Sequence, residues 1–153
     1  MSRQIPPDRA NGRPLALAQR LLRYLAAGAF ILAGINHFVR PAFYESILPP
    51  NFPAPSLLVA ISGVAEIAGG IGLLVPRLRR AAGWGLIALL VAVFPANIYM
   101  ALSPDTPAAT GIAPSVLWLR LPLQGLFILG IWFVALKTTT IKYGDKEGKS
   151  LAG

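Results

Sequence analysis

Between Ala81 and Leu102 the chain carries no Lys, Arg, Asp or Glu. A run of that length and apolarity can cross a bilayer as a helix. Inside lipid, a helix or a closed barrel is the only way to satisfy the backbone. Three further runs have the same character, at about 21–39, 56–75 and 114–136. The expected fold is therefore all-α, a polytopic membrane protein built as a four-transmembrane-helix bundle. Hydrophobic residues make up 55% of the 153 and charged residues 13%, about half the ~25% usual in a soluble domain. That leaves no room for a separate soluble catalytic domain. Residues 1–20 read as a basic N-terminal segment, 21–136 as the membrane domain and 137–153 as a basic tail.

The net charge of +8 reads as topology rather than as a nucleic-acid signal. Arg3, Arg9, Arg13, Arg20 and Arg23 precede or open the first span. Arg77, Arg79 and Arg80 link the second and third, and Lys137, Lys142, Lys146 and Lys149 follow the fourth. Twelve of the fourteen positive residues thus share one side, with only Arg40 in the loops of the other. The positive-inside rule then puts both termini in the cytoplasm. The first span is short between Tyr24 and Val39, so Arg20 and Arg23 snorkel to the interface. A cleaved signal peptide is the less favoured reading of this span, because no small-x-small site follows it. Without cysteine the chain has no disulfide, thiol redox chemistry or thiolate metal site of its own.

Glu66 breaks the second span, which is otherwise free of charge. A carboxylate there costs roughly 2.5–3.5 kcal/mol on insertion scales, so it must be neutral, paired or facing a polar cavity. At about 1.5 Å per residue, Ser62 and Glu66 lie in the outer half of the bilayer. So do Asn36 and His37 at the end of the first span, Asn97 and Tyr99 in the third, and Arg120 and Gln124 in the fourth. Ser62 and Glu66 are four apart on one helical face, as are Arg120 and Gln124. Pro95 and Pro122 each free a carbonyl one turn earlier, on Val91 and Trp118, which needs a partner. Two readings stand. Glu66 and Arg120 form a buried ion pair that fixes register, or they belong to a polar pocket for a ligand or proton. His37 taken alone reads more readily as an interfacial hydrogen-bonding anchor than as a ligand or base. One histidine and no cysteine give no metal site, and no phosphate loop, nucleophile elbow or complete cofactor motif is present.

The outer loop, RPAFYESILPPNFPAP (Arg40–Pro55), allows one or two helical turns over Ala42–Leu48, stopped by Pro49 and Pro50. Phe38, Phe43, Tyr44, Phe52 and Trp118 suit the outer interface, and Trp84, Trp132 and Tyr143 the inner one.

The segments GINHFVRPAFYESILPP (Gly34–Pro50), SGVAEIAGGIGLLVPRLRRAAGWGLIALLVAVFPANIYMAL (Ser62–Leu102) and WLRLPLQ (Trp118–Gln124) resemble the DoxX-like family of small bacterial membrane proteins. The resemblance covers most of Ala27–Trp132. It implies a four-helix, multi-pass protein of the bacterial inner membrane. That family is named from the membrane subunits of a thiosulfate:quinone oxidoreductase. Matching positions are Asn36, His37, Phe38, Pro41 and Tyr44; Ser62, Gly63 and Glu66; Pro95, Asn97 and Met100; and Arg120, Pro122 and Gln124. No catalytic residues transfer with it.

Together these observations lead to an expected pocket for a quinone-like lipid, in an accessory component of a membrane redox system. His37, Glu66, Asn97, Arg120 and Gln124 would bind the headgroup or handle its proton, with Asn36, Ser62 and Tyr44 beside them. Phe38, Phe94 and Trp118 would line the apolar slot. Any electron carrier would be another protein. Alternatives are a carrier or binding protein for a small polar or anionic solute, and an assembly factor whose polar cluster is purely structural. Asn36 and Asn97 each end the first helix of a pair, a weak hint of a two-helix repeat. The bilayer is the expected partner, with a homo-oligomer or a redox protein beside it and no nucleic acid.

Overall fold

The computed structural model describes residues 8–104, 106 and 110–137, with side chains from Leu15 onward. All of its regular structure there is helical. Helix α1 (Asp8–Val39) is followed by a short α2 (Pro41–Ser46), then α3 (Pro55–Leu74), α4 (Arg79–Leu102) and α5 (Pro114–Ile131). One π-helical turn, Trp132–Leu136, continues α5. Four helices are long and apolar enough to cross a membrane, over Leu15–Val39, Pro55–Leu74, Arg79–Leu102 and Pro114–Leu136. Three of these match the apolar runs to within two residues. The first does not stop at residue 21: α1 continues back to Asp8, because nothing between Asp8 and Arg20 breaks a helix except Pro14 and Gly12, and both lie in its opening turns. Tyr143, Arg3 and the lysines after Lys137 lie outside the described residues.

Proline sets three of the helix starts. Pro41, Pro55 and Pro114 each occupy the first turn, where no N–H is needed. The expected surface turn after the first span is α2, which ends ahead of Pro49 and buries no residue. Pro95 and Pro122 sit inside α4 and α5.

Helix α3 is the centre of the packing, pairing with α1 on one side and α4 on the other. Close approach explains both contacts. A Cβ on Gly70 would lie 2.8 Å from the Ala27 carbonyl oxygen, and one on Gly34 would lie 2.6 Å from that of Gly63. Added carbon at Gly69 would collide with Leu86 of α4, and at Gly72 with Ala82. In lipid, where burying apolar surface gives no drive, such backbone proximity is how helices gain dispersion contacts. At roughly 100° per residue, Gly63 and Gly70 fall on one flank of α3 and Gly69 and Gly72 on the other. Ser62 and Glu66 point between the two flanks, toward the middle of the bundle.

Two separate cores result. Ala27, Phe30, Leu73, Leu86, Ile131 and Ala135 fill the end where α1 and α4 begin. Ile47, Met100 and Leu117 form a smaller core at the opposite end, with Tyr44, Ala101 and Ile112 against it. The first end is also clasped. Buried Gln19 of α1 donates from Nε2 to the Lys137 carbonyl at 3.1 Å and reaches the Phe133 carbonyl at 3.4 Å. Large apolar side chains such as Leu25, Leu32, Val64, Val91 and Leu126 face outward all round, as lipid contact requires.

Candidate functional site

A cavity of about 520 Å³ lies between the two cores. Phe30, at its floor, belongs to the clasped core, and Ile47, at its roof, to the smaller one. All four long helices contribute walls, as do Tyr44 of α2 and Leu48 and Phe52 of the loop behind it. Most of the lining is apolar: Val93 and Ala96 of α4, Leu123 and Phe127 of α5, Leu58 and Val59 of α3. Into this wall project His37, Ser62, Glu66, Asn97, Arg120 and Gln124. A volume of this size, apolar with a few convergent polar groups, is that of a small-molecule site.

The first polar group joins α1 to α3. His37 Nδ1 lies 3.0 Å from the Val59 carbonyl oxygen and 3.1 Å from Ser62 Oγ. Ser62 itself donates to the Val59 carbonyl at 3.0 Å. A carbonyl can only accept, so Nδ1 carries the proton and the neutral ring presents a lone pair at Nε2. Across from it, 3.6 Å away, stands Glu66 Oε2. That oxygen is buried and has no hydrogen-bond partner among the described residues. The separation exceeds direct hydrogen-bond distance, so the two atoms stand side by side with their lone pairs unshared. Tyr44 stacks on the imidazole with centroids 3.8 Å apart, and its hydroxyl accepts from Asn36 Nδ2 at 2.9 Å. Ring orientation is thereby fixed from the α2 side.

The second polar group joins α4 to α5. Asn97 Nδ2 donates to Gln124 Oε1 at 2.9 Å, and Gln124 Nε2 donates to the Leu90 carbonyl. Gln124 is buried with both ends of its amide satisfied. One turn away on α5, Arg120 reaches Met100 Sδ at 3.8 Å, a weak acceptor. Among the described residues no carboxylate lies within 4 Å of its guanidinium.

Seven of the eight candidates drawn from the sequence line the cavity. Asn36 does not; it holds Tyr44 from outside. Four details of the sequence reading are corrected. Glu66 does not pair directly with Arg120: the α1–α3 glycine contacts bring His37 to it instead. Phe38, Phe94 and Trp118 do not line the slot; they turn outward, and Phe30, Phe52 and Phe127 take that role. Phe52, expected as an interfacial anchor, faces the cavity, as does Tyr44, expected both at the interface and beside the headgroup. Beside Pro95 the carbonyl that finds a side-chain partner is that of Leu90, one residue before the one expected. Sequence reasoning also missed the Val59 carbonyl and Met100 as partners, since neither a backbone oxygen nor a thioether carries a signal in the sequence.

The chain matches a family described as a domain of unknown function, DUF8561, over residues 26–135. No curated protein and no solved structure matches it.

Proposed function

The chain belongs to the DUF8561 family, whose matched segment takes in every cavity-lining residue, and we propose that this cavity binds the headgroup of a quinone-like lipid. The observation that carries the reading is the unpartnered Glu66 Oε2 opposite the His37 Nε2 lone pair. A quinol hydroxyl beside them has one proton, which it donates to Glu66 Oε2 or to His37 Nε2, and the acceptor takes it up when the quinol is oxidised. Its ring then lies against Phe30 and Phe127, and its second oxygen faces the Arg120 side, where a guanidinium donor has no strong acceptor. Val59 holds the imidazole in the tautomer that leaves Nε2 free to take the proton. Proton release from a quinol goes with loss of two electrons, which a separate redox protein must accept. The function proposed is thus that of a DoxX-like accessory component of a bacterial inner-membrane redox system.

Topology follows the same proposal. Arg20, Arg23, Arg77, Arg79, Arg80 and Lys137 stand at the clasped end of the bundle, and Arg40 at the other. That grouping supports cytoplasmic termini, with the cavity in the outer half of the bilayer.

A second reading, an anionic-solute carrier or binding protein, is favoured by one observation: Arg120 lines the cavity with no carboxylate beside it among the described residues. The test separates the two. The purified full-length chain is melted in detergent with a short-chain quinone analogue, and its copurifying lipids are identified by mass spectrometry. Protection by the analogue, lost in His37→Ala and Glu66→Gln, supports the quinone reading. Uptake of a small organic anion into liposomes without such protection supports the carrier and removes the quinone.

A further inference from the structure

At the clasped end, far from the cavity, two arginines converge from different helices. Arg23 is one turn from Ala27 on α1, where α1 meets the end of α3. Arg79 opens α4, and its Nε donates to the Leu73 carbonyl at 3.4 Å. That bond satisfies one orphan carbonyl at the α3 C-terminus and fixes the guanidinium against the bundle. Arg23 on α1 and Arg79 on α4 thus flank the same end of α3, with Arg20 one turn earlier on α1. The Nε of Arg23 is buried and has no hydrogen-bond partner among the described residues. Among the described residues no carboxylate lies within 4 Å of any of the three.

Like charges flank one helix end here, with a buried N–H that has no partner among the described residues. We propose that Arg23 and Arg79 bind the phosphate of an anionic phospholipid, with Arg20 at the rim. A lipid is the source rather than free phosphate because the flanks are apolar and outward-facing: Leu22, Leu74, Val75 and Leu78 are all exposed beside the two arginines. Acyl chains cover such a flank, while the planar guanidinium forks take the phosphate oxygens. Basic pockets between helices at one membrane face bind lipid headgroups by the same logic.

Native mass spectrometry of the full-length chain in detergent tests this, with phosphatidylglycerol and phosphatidylcholine offered in competition. The expected result is retention of phosphatidylglycerol over phosphatidylcholine, with Arg23→Gln and Arg79→Gln each cutting that preference roughly five-fold. Arg80→Gln, which removes the same charge from the neighbouring exposed position, should cut it far less. Equal retention of the two lipids by the wild-type chain would overturn the proposal on its own, whether or not the variants fold. So would an equal loss in Arg80→Gln, which would mean general surface charge, or displacement of the lipid by millimolar inorganic phosphate.

Discussion

His37 Nε2 and Glu66 Oε2 face each other at 3.6 Å across the α1–α3 contact, too far apart for a hydrogen bond, and the buried carboxylate oxygen has no other hydrogen-bond partner among the described residues. The close approach of Gly34 to Gly63 sets that spacing, because it brings the two backbones together one helical turn from each side chain. An oxygen buried without a partner costs stability unless something arrives to meet it.

Glu66→Gln should therefore be nearly neutral for folding, within about 1 kcal/mol, because an amide can donate to the His37 Nε2 lone pair while shedding a buried carboxylate. The same change should abolish protection by a quinone analogue. Melting curves with and without analogue check both parts. A large loss of stability with ligand response intact would mean that the carboxylate is structural.

A double-mutant cycle should find the coupling where the geometry puts it. His37→Ala with Glu66→Gln is expected to depart from additivity by about 0.5–3 kcal/mol. Glu66→Gln with Arg120→Gln should depart by less, since the two side chains make no direct ion pair. The reverse ordering in detergent melts would restore the Glu66–Arg120 pair.

Gln124→Ala should cost more than Asn97→Ala. Truncating Gln124 strands both the Asn97 amide and the Leu90 carbonyl, at about 1–3 kcal/mol for a buried unmet group, whereas truncating Asn97 strands one partner. Equal melting temperatures for the two variants would show that the α4–α5 bond is not made.

Gly70→Ala should destabilise by about 1–3 kcal/mol, because the new methyl meets the Ala27 carbonyl. Gly28→Ala, with open space around it, should be neutral or slightly stabilising, by about 0.5–1 kcal/mol from helix propensity. Folded Gly70→Ala protein should still respond to the analogue. If Gly28→Ala proves the worse of the two, the α1–α3 contact is misplaced.

Reporter fusions should put residue Gly153 in the cytoplasm and the 104–107 loop on the far side. A periplasmic signal from Gly153 would reverse the proposed sidedness of both the cavity and the arginine pair.

The spans were legible because charge is so costly in lipid that its absence over Ala81–Leu102 leaves little choice. Spacing alone put Ser62 with Glu66 and Arg120 with Gln124, and both pairs reach one cavity. What spacing could not supply was the partner across the helix pair. Opposite charge favoured Arg120 for Glu66, but the glycines of α1 and α3 decide which helix comes near, and they chose His37. The aromatic walls were misread for a different reason. In a soluble protein the apolar face points inward; in lipid both faces are apolar, so nothing in composition separates inward Phe127 from outward Phe94. The helical reach of α1 back to Asp8 was hidden by its arginines, which read as a flank and fold as a helix.

The Gln19 clasp gives the bundle the mechanics of a pair of tongs. Along α5, Arg120 stands roughly 20 Å from the fastened Phe133 carbonyl, so a tilt of about 10° at the π-helical turn carries the guanidinium about 3.5 Å. The tie at Gln19 thus fastens the π-helical end of that helix to α1 and leaves the Arg120 end the less constrained of the two.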